Sequence, residues 1–276
     1  MTHSAKKSLG QNFLVDDNIV RKILHTFSPR EDELVIEIGP GQGALTDYLA
    51  EMGVETIAVE LDDELVELLQ QRFGKESSVE IQHQDILDTD FQDIAESTEK
   101  PVRVLGNIPY NITSPLLFKL IEHRQIIQDV CLMVQQEIAH RLTAEPSTKS
   151  YGILSVLLQT YADPVYEFTV SKNVFRPRPQ VASAVVSIKW HNRWESQIPD
   201  PELYRVIVRT AFGKRRKTLR NALSYLPFSK FNTDELEFNI QKRAEALSVR
   251  DFVILTRKIA EQYPTYRDEL QKSPFV

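Results

Sequence analysis

Short, mostly apolar runs alternate with amphipathic segments along the first half of the chain. Runs bounded by glycine or polar residues predict strands, whereas apolar residues spaced three and four apart predict helices. The predicted strands are Leu34–Ile38, Thr56–Val59, Val79–Gln82, Val102–Leu105 and Val130–Val134. The predicted helices are Asp16–Thr26, Ala44–Met52, Asp62–Phe73 and Pro115–Glu122. This alternation is typical of an α/β fold with a mostly parallel, Rossmann-like sheet whose functional loops follow the strand ends.

Two more strands are predicted before the composition changes. Val165–Val170 and Ala182–Trp190 are joined without an obvious helix. We therefore expect them to form an antiparallel hairpin near the C-terminal edge of the sheet.

The last third of the chain has a helical pattern. Asp200 followed by Pro201 predicts a helix N-cap with proline at the first helical position. The predicted helices are Glu202–Phe212, Lys217–Tyr225 and Val249–Gln262, the last capped by Ser248. We expect an α/β domain over residues 1–194 and a small all-α domain over residues 195–276.

Composition indicates a soluble globular protein, since 42% of the 276 residues are hydrophobic and 26% are charged. The sequence has no apolar run of membrane-spanning length, and the polar stretch Met1–Asn12 does not resemble a signal peptide. The one cysteine, Cys131, excludes an intramolecular disulfide, and the six histidines lack the spacing of metal ligands. We expect a cytoplasmic protein with no metal and no membrane partner.

Net charge is −6, but basic residues are concentrated locally. Residues 168–194 contain five basic and no acidic residues, and residues 203–233 contain eight basic and no acidic residues. Such stretches favour a phosphate-binding surface, although short charge runs are more often solvated helix surface. The candidate RNA-binding residues are Arg176, Arg178, Lys214, Arg215, Arg216, Lys217 and Arg220.

Asn107–Tyr110 reads Asn-Ile-Pro-Tyr and follows a predicted strand. The Asn107 side-chain oxygen and a neighbouring carbonyl can accept both hydrogens of an exocyclic amine on a base. Pro109 stiffens the turn that presents these acceptors, and Tyr110 offers a ring on which an extruded base can stack. Alone, the tetrapeptide is also an ordinary turn.

A glycine-rich loop, residues 39–43, follows the first strand and precedes a helix, where backbone can approach a ligand closely. Glu60 ends the second strand, where a carboxylate can accept both ribose hydroxyls of a nucleoside. Asp85 ends the third strand and could bind an adenine edge. NAD formally fits this pattern as well, but it leaves Asn107–Tyr110 without a role. S-adenosylmethionine uses the same adenosine recognition and carries a transferable methyl group, so it is favoured.

Several motifs occur in one order over nearly the whole chain. They are Leu9–Leu14, Glu37–Gly41, Glu60, Asp85, Asn107–Tyr110 and the Phe-Arg-Pro-Arg-Pro-Gln-Val-x-Ser run Phe175–Ser183. This order resembles that of the ribosomal RNA adenine dimethyltransferases. The Phe-x-x-Arg-Arg-Lys-x-Leu-x-Asn tail, Phe212–Asn221, is similar to the bacterial small-subunit branch. The resemblance implies a methyltransferase version of the Rossmann-like sheet.

The resemblance also implies roles for individual residues. The implied cofactor-binding residues are Asn12, Leu14, Gly39, Gly41, Glu60, Leu61, Asp85, Ile86 and Asn107. The implied catalytic residues are Asn107, Ile108, Pro109, Tyr110 and Phe175, of which Tyr110 and Phe175 would hold the flipped adenine between them. Without the resemblance, residues 11–14 indicate only the approach to a helix and Phe175 a core aromatic.

The implied activity is dimethylation of two adjacent adenosines in small-subunit ribosomal RNA within a late, immature 30S subunit. The enzyme is expected to be a monomer that uses S-adenosylmethionine. One alternative is the related branch that dimethylates large-subunit RNA and confers macrolide resistance, with the same catalytic motifs. A second is a non-catalytic ribosome assembly factor, and a third is an NAD-dependent dehydrogenase. The basic residues 214–217 favour the small-subunit target.

Overall fold

The structure, a computed structural model, describes residues 5–6, 9–74, 77–226, 232–233 and 236–267. The strands are β1 (Phe13–Leu14), β2 (Leu34–Ile38), β3 (Glu55–Glu60), β4 (Val79–His83), β5 (Val102–Asn107), β6 (Ile127–Gln135), β7 (Ala162–Val170), β8 (Phe175–Arg176) and β9 (Ser183–Trp190). The helices are α1 (Asp17–Phe27), α2 (Thr46–Glu51), α3 (Asp63–Arg72), α4 (Phe91–Glu96), α5 (Thr113–Glu122), α6 (Gln136–Leu142), α7 (Ile153–Gln159), α8 (Pro201–Gly213), α9 (Leu219–Leu223) and α10 (Val249–Gln262). Helices in this part of the chain are all too short or too polar to cross a membrane.

The main sheet has seven strands in the order β4-β3-β2-β5-β6-β9-β7. Strands β2 to β6 run parallel, and Ile38 of the fully buried β2 pairs with Val59 on one side and Gly106 on the other. Strand β9 runs antiparallel to β6, with Ser183 opposite Gln135, and β7 is its other neighbour. The prediction of a mostly parallel, Rossmann-like sheet with an antiparallel strand near the C-terminal edge is confirmed.

Three helices have no counterpart in the sequence prediction. Helix α4 is only six residues long and buries just two large side chains, so its helical period is weak. Helix α6 continues directly from β6 at Gln136, with no intervening turn residue to signal the change. Helix α7 has the sequence Ile-Leu-Ser-Val-Leu-Leu-Gln and no polar face, so its apolar run gives no helical period.

The chain packs into two compact units. The first comprises Met1–Ala139 and Pro164–Trp190, and the second comprises His140–Asp163 and His191–Val276. The α/β unit contains most of the sheet, and the second unit is helical and includes α7. The predicted division into an α/β domain over residues 1–194 and an all-α domain over residues 195–276 stays a prediction.

In the helical unit, α8 contacts α7, α9 and α10. The predicted caps are present, because the Asp200 side chain accepts from the backbone N–H groups of residues 202 and 203, and Ser248 and Asp251 form a reciprocal capping box. The Lys217–Tyr225 prediction is too long, since Thr218 is the N-cap and α9 is confined to Leu219–Leu223.

Candidate active site

One pocket lies at the carboxyl ends of β2, β3, β4 and β5, where a parallel sheet places its functional loops. The structure brings together here every residue that the sequence predicts to bind the cofactor or take part in catalysis. These are Asn12, Leu14, Gly39, Gly41, Glu60, Leu61, Asp85, Ile86, Asn107, Ile108, Pro109, Tyr110 and Phe175. They come from six segments of the chain, and the fold alone makes them neighbours.

The glycine-rich loop forms the floor of the pocket next to β2. Gly39 and Gly41 have φ angles of 64° and 60°, in the left-handed region that favours glycine. A Cβ atom at Gly41 would lie 3.1 Å from Cδ1 of Phe13. Glycine therefore lets the N-terminal segment lie directly against the loop, and a larger residue there would push the two apart.

Glu60 ends β3 with its carboxylate fixed by backbone donors. One oxygen accepts from Gly41 N at 3.1 Å, and the other accepts from Leu61 N at 2.9 Å and Asp62 N at 3.0 Å. Burial raises the pKa of the Glu60 carboxyl, while the three N–H donors favour its ionised form. A fixed acceptor beside a glycine loop suits the hydroxyls of a ribose.

Asp85 and Ile86 follow β4 and line the adjoining wall. One carboxylate oxygen of Asp85 accepts from Leu87 N at 2.8 Å, which fixes the side chain in a turn. Ile86 is buried and apolar. An acceptor next to an apolar side chain suits an adenine, whose amine needs an acceptor and whose ring needs an apolar contact.

Asn107 is the last residue of β5, and a hydrogen bond to the N-terminal segment orients its side-chain amide. Its Nδ2 donates to the backbone carbonyl of Asn12 at 3.2 Å, so Oδ1 is the amide atom left to accept. The next residue, Ile108, is anchored by its N–H to the Met133 carbonyl at 3.0 Å. Among the described residues, neither Oδ1 of Asn107 nor the Ile108 carbonyl accepts a hydrogen bond.

The hydrogen bonds that close the turn after Ile108 are accepted by the Pro109 carbonyl and not by the Ile108 carbonyl. The Pro109 carbonyl accepts from Ile112 N at 3.2 Å and from the Thr113 hydroxyl at 3.3 Å, and α5 begins there. Because the Pro109 carbonyl closes the turn, the Ile108 carbonyl accepts no hydrogen bond from the neighbouring described backbone.

Tyr110 and Phe175 are the two aromatic residues predicted to hold a base. The Tyr110 hydroxyl is bonded to the hydroxyl of the buried Ser183, the first residue of β9, at 3.3 Å. Phe175 lies on β8, opposite Leu14 of β1, and is only 1% exposed. It lines the pocket and also belongs to the hydrophobic core, so the sequence interpretation of a core aromatic holds together with its place at the site. Its stacking role stays a prediction.

The N-terminal segment is fastened across the pocket by contacts that the sequence does not predict. Gln11 Nε2 and Lys6 Nζ donate to the two oxygens of Asp62, each at 2.7 Å, and Lys6 N donates to Gln11 Oε1 at 2.8 Å. Burial alone would raise the pKa of Asp62, but the donors Lys6 and Gln11 lower it on balance. Asp62 N in turn donates to Glu60, which connects the segment to the pocket wall at the end of β3.

The same lysine accounts for a cluster of acids. Within the described ranges, Asp62, Asp63 and Glu64 form the group whose ligand atoms are close enough for a metal ion. Lys6 Nζ lies 2.7, 3.0 and 3.2 Å from their respective carboxylates. The cluster is therefore an ion-pair network centred on an ammonium group.

Glu37 is a further pocket residue that the sequence prediction left without a role. It lies on β2, is 2% exposed, and accepts from the Thr46 hydroxyl at 2.7 Å. Burial raises its pKa to about 8, and the nearby Glu60 charge adds to the shift. A sequence signal exists, since an acidic residue inside an otherwise apolar strand is unusual unless it has a partner.

The predicted RNA-binding residues lie in both units. Arg176 and Arg178 are exposed in the α/β unit, and Arg176 also donates to the carbonyls of Asn173 and Phe175 at 3.1 and 2.9 Å. The residues of the helical unit are Lys214, Arg215, Arg216, Lys217 and Arg220, all exposed. Lys230, the last base of this stretch, lies outside the described residues. The RNA-binding role of the whole set stays a prediction.

Arg215 differs from its basic neighbours. Its guanidinium pairs with Glu245 at 3.1 Å and donates to the carbonyls of Lys149 and Tyr151 at 2.5 and 3.4 Å. The side chains of Arg216 and Lys217 form no hydrogen bond or ion pair within the described chain. Arg215 thus fixes the turn of residues 214–217, the basic turn, while the side chains of Arg216 and Lys217 face solvent.

Comparisons with known proteins agree with this arrangement. The sequence model of a family described as "Ribosomal RNA adenine dimethylase" matches residues 2–261. The "Ribosomal RNA small subunit methyltransferase A" of Prosthecochloris aestuarii is 46% identical over 258 residues, which cover 93% of this chain and 94% of the relative. The Pseudomonas aeruginosa protein of the same name is 40% identical over 259 residues, covering 94% of this chain and 96% of the relative.

Two solved structures share the fold. A dimethyladenosine transferase from Plasmodium falciparum has a TM-score of 0.74 at 24% identity and covers 92% of this chain and 98% of its own. The 23S rRNA methyltransferase ErmE has a TM-score of 0.67 at 22% identity and covers 90% of this chain and 99% of its own. At these identities the likeness concerns the fold.

Proposed function

This chain belongs to the ribosomal RNA adenine dimethylase family, and from that membership we propose that it dimethylates small-subunit ribosomal RNA. The reaction transfers methyl groups from S-adenosylmethionine to the exocyclic amines of two adjacent adenosines, late in the biogenesis of the small subunit. Relatives named as small-subunit methyltransferases, at 40% and 46% identity, support this target. The ErmE likeness is more distant and concerns the fold.

The observation that carries the proposal is the pair of acceptors at the end of β5. Asn107 Oδ1 and the Ile108 carbonyl are adjacent in the chain, and both are without a donor among the described residues. An adenine amine has two hydrogens to donate, and its lone pair is delocalised into the ring. Two fixed acceptors hold those hydrogens and favour the pyramidal nitrogen that can attack a methyl group.

The residues of this site fit the methyl donor on their own chemistry. Glu60 would accept from the ribose, Asp85 and Ile86 would bind the adenine, and the Gly39–Gly41 backbone allows close approach. S-adenosylmethionine supplies a methyl group activated by a sulfonium centre. The chain orients the amine nitrogen, and orientation of two reactants can lower a barrier by roughly 7–11 kcal/mol.

A strong base is unnecessary. The nitrogen that accepts the methyl cation would take over its positive charge, so it would be acidic and lose one proton to water. The protein needs only acceptors for the hydrogens that remain. The second transfer must accommodate a methyl group already on the nitrogen. One of the two acceptors then loses its donor, and the other keeps the nitrogen in place.

We also infer that the substrate is an immature small subunit, that the protein acts as a monomer, and that it works in the cytoplasm. The exposed side chains of Arg216 and Lys217 support binding to RNA, because no acidic residue in the described chain neutralises their positive charge. Two alternatives remain: large-subunit RNA as the substrate, and binding without catalysis. A single experiment distinguishes them, because each predicts a different distribution of the methyl label.

The test uses labelled S-adenosylmethionine with separated small and large subunits from cells that lack this modification. We expect label in the small-subunit RNA, recovered as dimethyladenosine after digestion. Label only in the large-subunit RNA would overturn the choice of target. Binding to small subunits without any label would favour the assembly-factor alternative.

A further inference from the structure

An exposed tyrosine of the helical unit follows α9 and contacts the basic turn. Tyr225 is 54% exposed, the largest value among the exposed large hydrophobic residues of the described chain. The Nζ atom of Lys214 lies 5.2 Å from the centre of its ring, within the range of a cation–π contact. An aromatic ring paired with a cation is the combination that binds a nucleobase and its phosphate.

The local fold holds the ring in place. Leu223 and Leu226, on either side of Tyr225 along the chain, are buried, and Leu219 and Ala222 complete the same inner face of α9. Arg220 lies on the exposed face of α9, and Tyr225 follows the helix in a turn where Leu226 N donates to the Leu223 carbonyl at 2.9 Å. The Thr218 hydroxyl caps the helix by accepting from Asn221 N. Tyr225 is therefore an exposed side chain on an anchored backbone.

The positive charge of the same segment indicates a partner that carries phosphates. Lys214, Arg216, Lys217 and Arg220 are all exposed, and residues 203–233 contain no acidic residue. A ring that served a protein partner's apolar surface would not need a cation at its face or three further exposed cations in the same segment. The exposed cations attract phosphates, and the ring adds a contact that only a base face or an apolar group can use.

We propose that Tyr225 and Lys214 form a binding site for an unpaired nucleobase of the small-subunit RNA, with the base stacked on the ring and its phosphate near the ammonium. This inference rests on the proposed function. The base is unpaired because bases inside an RNA helix are already stacked on each other and present no free face. Stacking on one aromatic residue contributes about tenfold or more in affinity.

The test measures binding of the full-length protein to unmethylated small subunits over a series of salt concentrations, together with methylation at saturating subunits. The variants are Tyr225→Phe, Tyr225→Leu, Tyr225→Ala and Lys214→Ala, with Ser224→Ala as the matched neighbour. We expect Tyr225→Phe and Ser224→Ala to bind like wild type. Tyr225→Leu and Tyr225→Ala should bind about tenfold more weakly, with the salt dependence unchanged.

Lys214→Ala should weaken binding and also reduce the slope of log affinity against log salt by about one. Methylation at saturating subunits should match wild type in Ser224→Ala, because this residue lies outside the pocket that holds the reacting groups and outside the proposed base site. Thermal unfolding should also be unchanged for an exposed side chain, which separates a binding defect from misfolding.

Several results would overturn the site. Wild-type affinity in Tyr225→Ala, or in Tyr225→Leu, would exclude stacking. A loss that occurs with intact subunits but not with protein-free small-subunit RNA would identify a ribosomal protein as the partner. A wild-type protein that binds but does not methylate would refute the proposed function instead, and the binding comparison would still decide the role of Tyr225.

Discussion

The side-chain amide of Asn107 donates a hydrogen bond to the backbone carbonyl of Asn12, 3.2 Å away. This contact joins the end of β5 to a segment 95 residues earlier in the chain. It fixes which amide atom of Asn107 is left to accept. The N-terminal segment therefore orients the side chain of a predicted catalytic residue, in addition to lining the pocket.

Asn107→Ala should reduce methyl transfer about 100-fold or more, because an oriented polar group at the reacting centre contributes that much in other enzymes. Cofactor affinity should fall much less, since Glu60 and Asp85 are untouched. Single-turnover methylation and equilibrium titration of S-adenosylmethionine measure the two effects separately. Asn111→Ala, a change in the same pocket wall, is the control. Undiminished turnover in Asn107→Ala would refute the assignment.

Asn107→Asp isolates the contact with Asn12. The carboxylate keeps an acceptor but has no N–H to donate to the Asn12 carbonyl. We expect turnover to fall about tenfold even though acceptor capacity is retained. Wild-type turnover in this variant would show that the N-terminal segment does not orient the side chain.

Ser183 should act as a positioning residue for Tyr110 through their 3.3 Å hydroxyl contact. Ser183→Ala and Tyr110→Phe should each lower kcat/KM for RNA about three- to tenfold, and the double variant should be little worse than either alone. KM for S-adenosylmethionine should not change. Ser187→Ala, also on β9, is the matched control. Fully additive effects would mean that the two hydroxyls act independently.

Lys6 should hold the N-terminal segment against the cofactor wall. Lys6→Ala removes the ammonium from the carboxylates of Asp62, Asp63 and Glu64, so S-adenosylmethionine should dissociate severalfold faster. Added salt should produce part of the same effect in the wild type, because the network is partly exposed to solvent. Stopped-flow release of the cofactor measures both. Lys22→Ala, in the same unit, should release it at the wild-type rate, and an equal rate in Lys6→Ala would contradict this role.

The sequence predicts which residues line the pocket better than it predicts the hydrogen bonds and ion pairs among them. Glu60, Asp85 and Asn107 each end a predicted strand, and parallel strands bring their carboxyl ends to one edge, so the pocket follows from the strand pattern. The bond from Lys6 to Asp62 spans 56 residues and depends on the final packing of both segments. No local periodicity carries that information.

Phe175 and Arg215 show the same limit. Phe175 reads as a core residue and is one, yet its pairing with β1 also places it on the pocket wall. Arg215 is part of a basic run, but a salt bridge to Glu245 and two backbone carbonyls engage it within the fold. The type of a residue determines which interactions its side chain can make, and long-range contacts in the fold determine which of them it makes.

Glu37 should make stability fall as the pH rises. Its folded-state pKa is about 8 against an ordinary value of 4.5, so between these values the folded protein binds a proton that the unfolded chain has lost. The free energy of unfolding therefore decreases with pH through this window, by on the order of a few kcal/mol. Glu37→Gln keeps the size of the side chain and an acceptor for Thr46 but cannot ionise. Urea unfolding at pH 5 and pH 8 should show the variant gaining stability over wild type only at the higher pH. An equal difference at both pH values would show that Glu37 does not titrate in this range.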